Sequence, residues 1–316
     1  MALPETLIPF VALVLFREAE SHEIGVGAIL GAPFMLSTLA FFVTALSAWV
    51  YQGRREWGWR LRLNRRVVSR DLGFFLPLYG AAIGVSFTPV RHYARWVVAL
   101  GLLVGYGYYL YLNLRETMEG EKEEPLTFNV IWAWLPLLKP GPDREAHQAR
   151  VEFLNGRRPR LRAVSGQVLV ALMLIIGGAY EFVWATREIC LASGFSPLVF
   201  ALIVAPIATE LPEKLNSVIW IRQGKDTLSL GNITGAMVFQ STFPVTLGIL
   251  LTDWHFRNLA TGDCALLSAA IALVSGLVVL VTVRGGRART MAPWALAIGL
   301  VWWLLFAGFV VVTRIV

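Results

Sequence analysis

Cysteine, histidine and charged residues are all scarce in this chain, and each scarcity excludes a class of protein. Two cysteines and four histidines among 316 residues, with no CxxC or CxxH spacing, exclude a zinc ribbon or a thiol redox centre. No Walker loop, dinucleotide fingerprint, G-x-S-x-G elbow or nucleophile–base arrangement is visible, so neither an enzyme nor a cofactor is expected. Cys190 and Cys264 are expected to be unrelated free thiols, with a disulfide as the alternative. With 16% charged and 56% hydrophobic residues, the chain is too apolar for an ordinary soluble domain.

Long hydrophobic runs dominate the chain instead. Runs of about 17–27 residues can cross a hydrocarbon core of roughly 30 Å as helices, whereas the strands of a barrel would need about ten alternating residues. The chain is therefore predicted to be an all-α polytopic membrane protein. Nine spans are predicted, at residues 2–16, 25–51, 73–89, 94–114, 163–185, 196–221, 227–252, 263–283 and 291–314.

The basic residues indicate which side of the membrane each connection faces. The net charge is +7, and 21 of the 28 Lys and Arg residues fall in four alternate connections. Such a bias is typical of cytoplasmic loops, so residues 52–72, 115–162, 222–226 and 284–290 are predicted to be cytoplasmic. Basic loops beside anionic lipid account for the charge, so the expected partner is the lipid bilayer and not a nucleic acid.

One predicted span combines hydrophobicity with charge. It carries Glu210, Glu213 and Lys214 close to Pro206 and Pro212. Carboxylates inside a membrane are costly and usually mark an ion or proton path. Because proline has no N–H and clashes with the preceding turn, it is expected to interrupt the helix and to leave backbone carbonyls able to bind a cation.

The N-terminal part of the chain repeats this pattern. Residues 3–7 (LPETL) match 211–215 (LPEKL), and residues 27–32 (GAILGA) match 231–236 (GNITGA). The copies are five spans apart, and an odd step reverses orientation, so inverted repeats of the kind found in secondary transporters are predicted. The predicted division is a first repeat at 1–114, a cytoplasmic linker at 115–162 with an interfacial helix over Phe128–Leu138, and a second repeat at 163–316.

The inverted repeats are predicted to bring Glu5 and Glu213 together near the middle of the membrane. Two carboxylates with hydroxyl and carbonyl oxygens form an oxygen-only site, which suits a hard cation such as Ca²⁺ or Na⁺. Thr209 and the carbonyls around Pro206 and Pro212 are expected to complete the shell. Further candidates are Gln240 from the next helix, Glu210 as an extra ligand or proton carrier, and Ser37 near the matching position of the first repeat.

These motifs resemble the alpha-repeats of the cation/calcium exchanger superfamily, in particular those of prokaryotic sodium/calcium antiporters. The family pattern reads roughly G-T-S-L-P-E and, after a spacer, G-N-x-x-G-S-N-x-F-N/D. Residues 208–213 (ATELPE) and 231–240 (GNITGAMVFQ) fit it without a gap. The resemblance implies an inverted-repeat sodium/calcium exchanger-like fold of ten spans in a prokaryotic plasma (inner) membrane, with cations as cargo.

The chain departs from the family pattern at positions where the family binds sodium. Glu210 replaces the serine before Leu-Pro-Glu, Ala236 replaces the serine of G-S-N, and Gln240 replaces the polar ligand that follows. In the first repeat, Ala32 and Leu36 stand at the corresponding positions. Proton coupling therefore competes with sodium coupling.

The expected function is secondary antiport of Ca²⁺ for Na⁺, by alternating access at a carboxylate site near the membrane midplane. Exchange of Ca²⁺ or another cation for H⁺ is the alternative, because neighbouring carboxylates can also take up protons. A cation channel is a second alternative. A third is a non-transporting scaffold with a degenerate site, in which Lys214 neutralises Glu210 or Glu213.

The resemblance also predicts a further span before the first one seen. Met1 falls where the threonine of the first motif belongs, so the first of the ten spans is expected to be missing from this chain. Upstream codons that encode a span ending in a Gly-Thr-like motif would confirm this expectation.

Overall fold

The computed structural model describes residues 3–16, 18–87, 92–120, 161–256, 261–285 and 290–314. Within these ranges the chain forms twelve α-helices and one short antiparallel ribbon. The helices are α1 (Leu3–Val14), α2 (Ala19–Met35), α3 (Phe41–Val50), α4 (Arg65–Val85), α5 (His92–Gly120), α6 (Leu161–Ser193), α7 (Pro197–Arg222), α8 (Asp226–Gln240), α9 (Phe243–Leu251), α10 (Gly262–Gly285), α11 (Trp294–Ala297) and α12 (Gly299–Arg314). The ribbon pairs β1 (Leu61–Arg62) with β2 (Thr290–Met291).

Each predicted span corresponds to helix in the described part of the chain. Three of the predicted spans correspond to helices that are less typical of a membrane span. Helix α1 is short, and α4 and α7 carry charged residues. The prediction of an all-α membrane protein is confirmed. Within the described residues, six helical stretches are long and apolar enough to cross a membrane: Ala19–Val50, Ala94–Arg115, Ser165–Ser193, Asp226–Leu251, Gly262–Gly285 and Trp294–Thr313.

The chain forms two compact units. Residues 1–111 and 178–316 make one unit, and residues 112–177 make the other. The first unit contains helices from both predicted repeats, so the helices of the two repeats pack together in one compact unit. The boundaries of the repeats and of the linker stay predictions, and residues 121–160, with the interfacial helix expected over Phe128–Leu138, lie outside the described residues.

Helices α2 and α7 pack together more extensively than any other pair of described helices. Two glycines four residues apart set this approach. A Cβ on Gly27 would lie 2.3 Å from the carbonyl oxygen of Leu198, and a Cβ on Gly31 would lie 2.2 Å from that of Leu202. Only residues without a side chain let two helix backbones come so close. Gly27 and Gly31 therefore set the close packing of α2 against α7.

Helix α2 continues into α3 through a π-helical segment, Leu36–Ala40. The segment begins three residues after Pro33, whose missing N–H breaks the regular hydrogen-bond ladder. Its carbonyls contact two other helices. The Ser275 hydroxyl of α10 donates to the carbonyl of Ser37 at 2.5 Å. Gly299, at the start of α12, lies against the carbonyl of Thr38, where a Cβ would be 2.3 Å away.

A buried ion pair anchors the connection between α3 and α4. Arg55 donates to both carboxylate oxygens of Asp226 at 2.6 Å, and both side chains are buried. The backbone N–H of Arg62 donates to the same carboxylate at 2.7 Å. Asp226 is the first residue of α8, where the helix dipole also favours a negative charge. The connection between α3 and α4, which is predicted to be cytoplasmic, is therefore held to the start of α8 by these bonds.

The two cysteines are free thiols. Cys190 lies on α6 and Cys264 lies on α10, and both are buried. The expectation of unrelated thiols is met, and the alternative of a disulfide between them is not.

Replacing Gly31 with alanine is expected to destabilise the protein, because the added methyl group cannot fit against the carbonyl of Leu202 and the ring of Pro206. Overpacking of this kind typically costs about 1–3 kcal/mol. Thermal unfolding in detergent measures the effect. Gly107→Ala on α5 is the control, because a Cβ there meets nothing within 4 Å. If both variants melt at the wild-type temperature, the close approach of α2 and α7 does not limit stability.

Candidate cation-binding site

Three residues predicted from the sequence line one small cavity. Glu5 enters it from the first turn of α1, and Pro206 and Thr209 enter it from α7. The cavity measures about 10 Å³, and its other described walls are Ile8, Ala28, Ala32 and Ala205. Because the three alanines are small, the helices meet closely while leaving room near the Glu5 carboxylate. Elements from both predicted repeats therefore build this site.

Gln240 is the direct partner of Glu5. Its side-chain amide nitrogen donates to a carboxylate oxygen of Glu5, and both residues are buried. The amide oxygen of Gln240 is also buried, and it has no hydrogen-bond partner among the described residues. A buried acceptor without a donor is costly unless something else binds it. Glu5 and Gln240 thus offer one charged and one neutral oxygen donor in adjacent positions.

The expected interruption of α7 at its prolines is not present. Helix α7 runs without a break from Pro197 to Arg222. The hydroxyl of Thr209 donates to the carbonyl of Ala205 at 3.1 Å, which leaves the lone pairs of the hydroxyl oxygen for another ligand. Neighbouring helices can support a proline within a membrane helix, so a missing N–H need not end the helix. Pro206 still cannot donate to the carbonyl of Leu202, the oxygen that lies against Gly31.

Glu210 is held by its own helix. The Lys214 ammonium lies 3.2 Å from a carboxylate oxygen of Glu210, one turn away, and both side chains are buried. Breaking a buried ion pair on one side leaves an uncompensated charge, which is costly. In this arrangement Glu210 is neutralised within α7, and it is not among the residues that line the cavity. The sequence correctly indicated the pairing of Lys214 with an acid, and the structure identifies Glu210 as that acid.

One further candidate, Ser37, is not brought to the cavity in the described structure. The hydroxyl of Ser37 donates to the carbonyl of Phe34 at 3.0 Å within its own helix, and Ser37 does not line the cavity. Glu213 lies on α7, but its side chain is outside the described residues, so its proximity to Glu5 stays a prediction. Among the described side chains, no group of three or more His, Cys, Asp or Glu residues could hold a metal ion.

The available donors suit a hard cation. The cavity and its immediate surroundings provide the Glu5 carboxylate, the Gln240 amide oxygen and the Thr209 hydroxyl, all of them oxygen ligands. Oxygen ligands with at least one carboxylate are typical of Ca²⁺ sites. Full coordination of Ca²⁺ takes about six to eight oxygens, so backbone carbonyls, water and the predicted Glu213 carboxylate would have to supply the rest.

A second buried carboxylate, Asp71 on α4, was missed from the sequence. The hydroxyl of Thr234 donates to one of its oxygens at 2.7 Å, and the hydroxyl of Tyr109 donates to the other at 3.1 Å. Arg70 lies 3.7 Å from the same carboxylate. Asp71 thereby connects α4 and α5 to the glycine-containing motif at the start of α8. The available signal was an acid immediately before a span, but its position in a basic connection suggested a solvated residue.

Thr234→Val is expected to lower the melting temperature, because it removes a donor from a buried carboxylate. A hydrogen bond to a charged group contributes about 1.5–3 kcal/mol. Thr282→Val on α10 is the matched control, since the hydroxyl of Thr282 donates only to the carbonyl of Val278 among the hydrogen bonds described for it. Thermal unfolding of both variants in detergent gives the comparison. Equal melting temperatures would mean that the bond to Asp71 adds nothing to stability.

Comparison with known proteins agrees with this geometry. Residues 164–313 match the family model described as sodium/calcium exchanger protein. A putative antiporter, CaxA, from Alkalimonas amylolytica is 28% identical over 124 residues, which cover 39% of this chain and 37% of that protein. The crystal structure of an H⁺/Ca²⁺ exchanger, CAX, superposes with a TM-score of 0.64 at 16% identity, covering 99% of this chain and 75% of that one.

The match to the CAX structure defines the class of the fold, an all-α membrane exchanger-like arrangement of helices. The family match adds the sequence relationship over the second half of the chain. The part of the chain at residues 164–313 is therefore similar to the sodium/calcium exchanger family, which is a family of transporters and not of enzymes. Its match to CaxA spans just over a third of that relative's length.

Proposed function

We propose that this protein is a secondary antiporter that carries Ca²⁺ through the cavity beside Glu5. The observation that supports this function best is the meeting of Glu5, Thr209 and Pro206 in one cavity, with Gln240 bonded to Glu5. Glu5 belongs to the repeated L-P-E motif, and Thr209 and Gln240 belong to the stretches 208–213 and 231–240 that fit the family pattern. Buried carboxylates within membrane helices are retained mainly where ions or protons pass.

Each residue has a defined role in this proposal. Glu5 and Glu213 supply the negative charge that replaces the hydration shell of the cation. Thr209 and the amide oxygen of Gln240 supply neutral ligands. When Ca²⁺ is bound, the Glu5 carboxylate shifts from the amide N–H of Gln240 to the ion, and the ion takes up the buried amide oxygen. Alternating access then requires the helices around the cavity to open it to each side in turn.

The arrangement favours H⁺ as the counter-ion, with Na⁺ as the second candidate. A sodium site needs several neutral oxygens, yet Ala236 and Ala32 stand where the family pattern has polar ligands. Ser37 does not line the cavity, and Glu210 is paired with Lys214. A carboxylate can exchange Ca²⁺ for a proton without further ligands. The similarity in fold to CAX, an H⁺/Ca²⁺ exchanger, supports the same choice, whereas the family description, sodium/calcium exchanger, supports Na⁺.

Calcium uptake into proteoliposomes tests the proposal. Uptake is expected under an opposing proton gradient, and it should fall to background in Glu5→Gln and in Glu213→Gln. Glu181→Gln on α6 is the control, because Glu181 is exposed and lies away from the cavity. Uptake under an opposing Na⁺ gradient with the proton gradient collapsed would instead assign Na⁺ as the counter-ion. No uptake under either gradient, by a folded wild-type protein, would contradict antiport and favour a scaffold.

Gln240→Leu tests the neutral ligand separately. The variant removes both the donor to Glu5 and the unpartnered amide oxygen, so half-maximal uptake is expected to need about tenfold more Ca²⁺, the effect of losing one bond to a charged group. Gln223→Leu, an exposed amide at the end of α7, is the control. An unchanged calcium dependence in Gln240→Leu would remove Gln240 from the site.

A further inference from the structure

A groove on the surface of the first unit is not explained by cation transport. It lies beside α4, at the end of α4 that is predicted to be cytoplasmic, and it encloses about 410 Å³. Its wall has two chemical parts. Arg70, Arg284 and Ser69 form a polar end, whereas Phe74, Pro77 and Leu78 form an apolar side.

The two arginines are brought together by the packing of α10 against α4. Arg284 is the last residue but one of α10, and one nitrogen of its guanidinium group lies 3.6 Å from where a Cβ would stand on Gly73. Gly73 follows Arg70 by about one helical turn. The guanidinium group of Arg284 therefore lies within contact distance of α4 at Gly73, and Arg70 lines the same groove.

Arg284 supplies the accessible positive charge at this end. It is exposed and forms no ion pair with any described residue. Arg70 is more deeply placed, 3.7 Å from Asp71 and 5.9 Å from the ring centre of Tyr109. An anion at the polar end of the groove would therefore meet the guanidinium group of Arg284, with Arg70 and the Ser69 hydroxyl on the same wall.

The apolar side of the groove lies closer to the C-terminal end of α4 than the polar end does. From Arg70 to Leu78 the helix rises about 12 Å, at 1.5 Å per residue. Gly105 on α5 faces Leu78, and a Cβ on Gly105 would lie 2.7 Å from that side chain. Because this end of α4 is predicted to be cytoplasmic, we expect the basic residues at the level of lipid headgroups and the apolar side at the level of acyl chains.

We propose that this groove binds one anionic phospholipid. Its phosphate lies between Arg70 and Arg284, and one acyl chain lies along Phe74, Pro77 and Leu78. Inorganic phosphate has the same headgroup chemistry, but it would leave the apolar side of the groove uncovered. Since Arg70 contacts the cluster around Asp71, a bound lipid also braces the contact between α4 and α8.

Native mass spectrometry of the detergent-purified protein tests this site. With phosphatidylglycerol as the probe, one lipid is expected to stay bound, and Arg284→Ala should weaken its binding about fivefold, the effect of one basic residue near a membrane surface. Arg222→Ala is the control, because Arg222 is an exposed arginine at the predicted cytoplasmic end of α7, outside the groove. Arg284→Ala is expected to fold, because Arg284 is exposed and unpaired among the described residues.

Two further arms separate the sources of the anion. Phosphatidylcholine should bind more weakly than phosphatidylglycerol, and equal binding would overturn the assignment of an anionic ligand. Inorganic phosphate should not displace phosphatidylglycerol, and displacement at millimolar phosphate would make this a phosphate site. No retained lipid, or equal weakening in Arg284→Ala and Arg222→Ala, would also overturn the proposal. None of these results depends on whether the protein transports Ca²⁺.

Discussion

The contact between the backbones of α2 and α7 is the constraint on which the rest of the structure depends. Gly27 and Gly31 let α2 lie directly against the carbonyls of Leu198 and Leu202. This contact brings the alanines of α2 beside Pro206 on α7 and closes the cavity that Glu5 enters. Since lipid tails offer no hydrophobic drive for helices to associate, such close van der Waals packing between small residues is what holds membrane helices together.

The buried acids of the described structure differ in their partners and in their position. Asp226 is paired with Arg55, Glu210 with Lys214, and Asp71 accepts hydrogen bonds from two hydroxyls. Glu5 accepts a hydrogen bond from the amide of Gln240. Of these four acids, Glu5 is the one that lines the small cavity.

The helices could be predicted from the sequence, and candidate site residues could be named, because both depend on local patterns. Apolar runs located the helices, and the repeated L-P-E motif identified Glu5 and the residues of α7. Contacts between residues that lie far apart in the sequence could not be predicted in this way. The sequence did not indicate that Arg55 pairs with Asp226, 171 positions away, or that Asp71 accepts a bond from Thr234, because both acids lie in or beside basic connections. The continuity of α7 through its prolines was also missed, because support from neighbouring helices is not visible in one segment.

The anchoring of Asp226 has a geometric consequence for α8. Its first residue is bonded to Arg55 and to the backbone of Arg62, and the β1–β2 ribbon ties that connection to the segment before α11. Gln240, at the other end, is about 21 Å away along the helix axis at 1.5 Å per residue. The bond from Thr234 to Asp71 holds the helix a second time. If that bond opens, α8 is fixed at its first turn, and a tilt of about 10° would displace Gln240 by roughly 4 Å, given that length. Such a tilt would move the amide of Gln240 away from Glu5, while Asp226 keeps its bonds to Arg55 and Arg62.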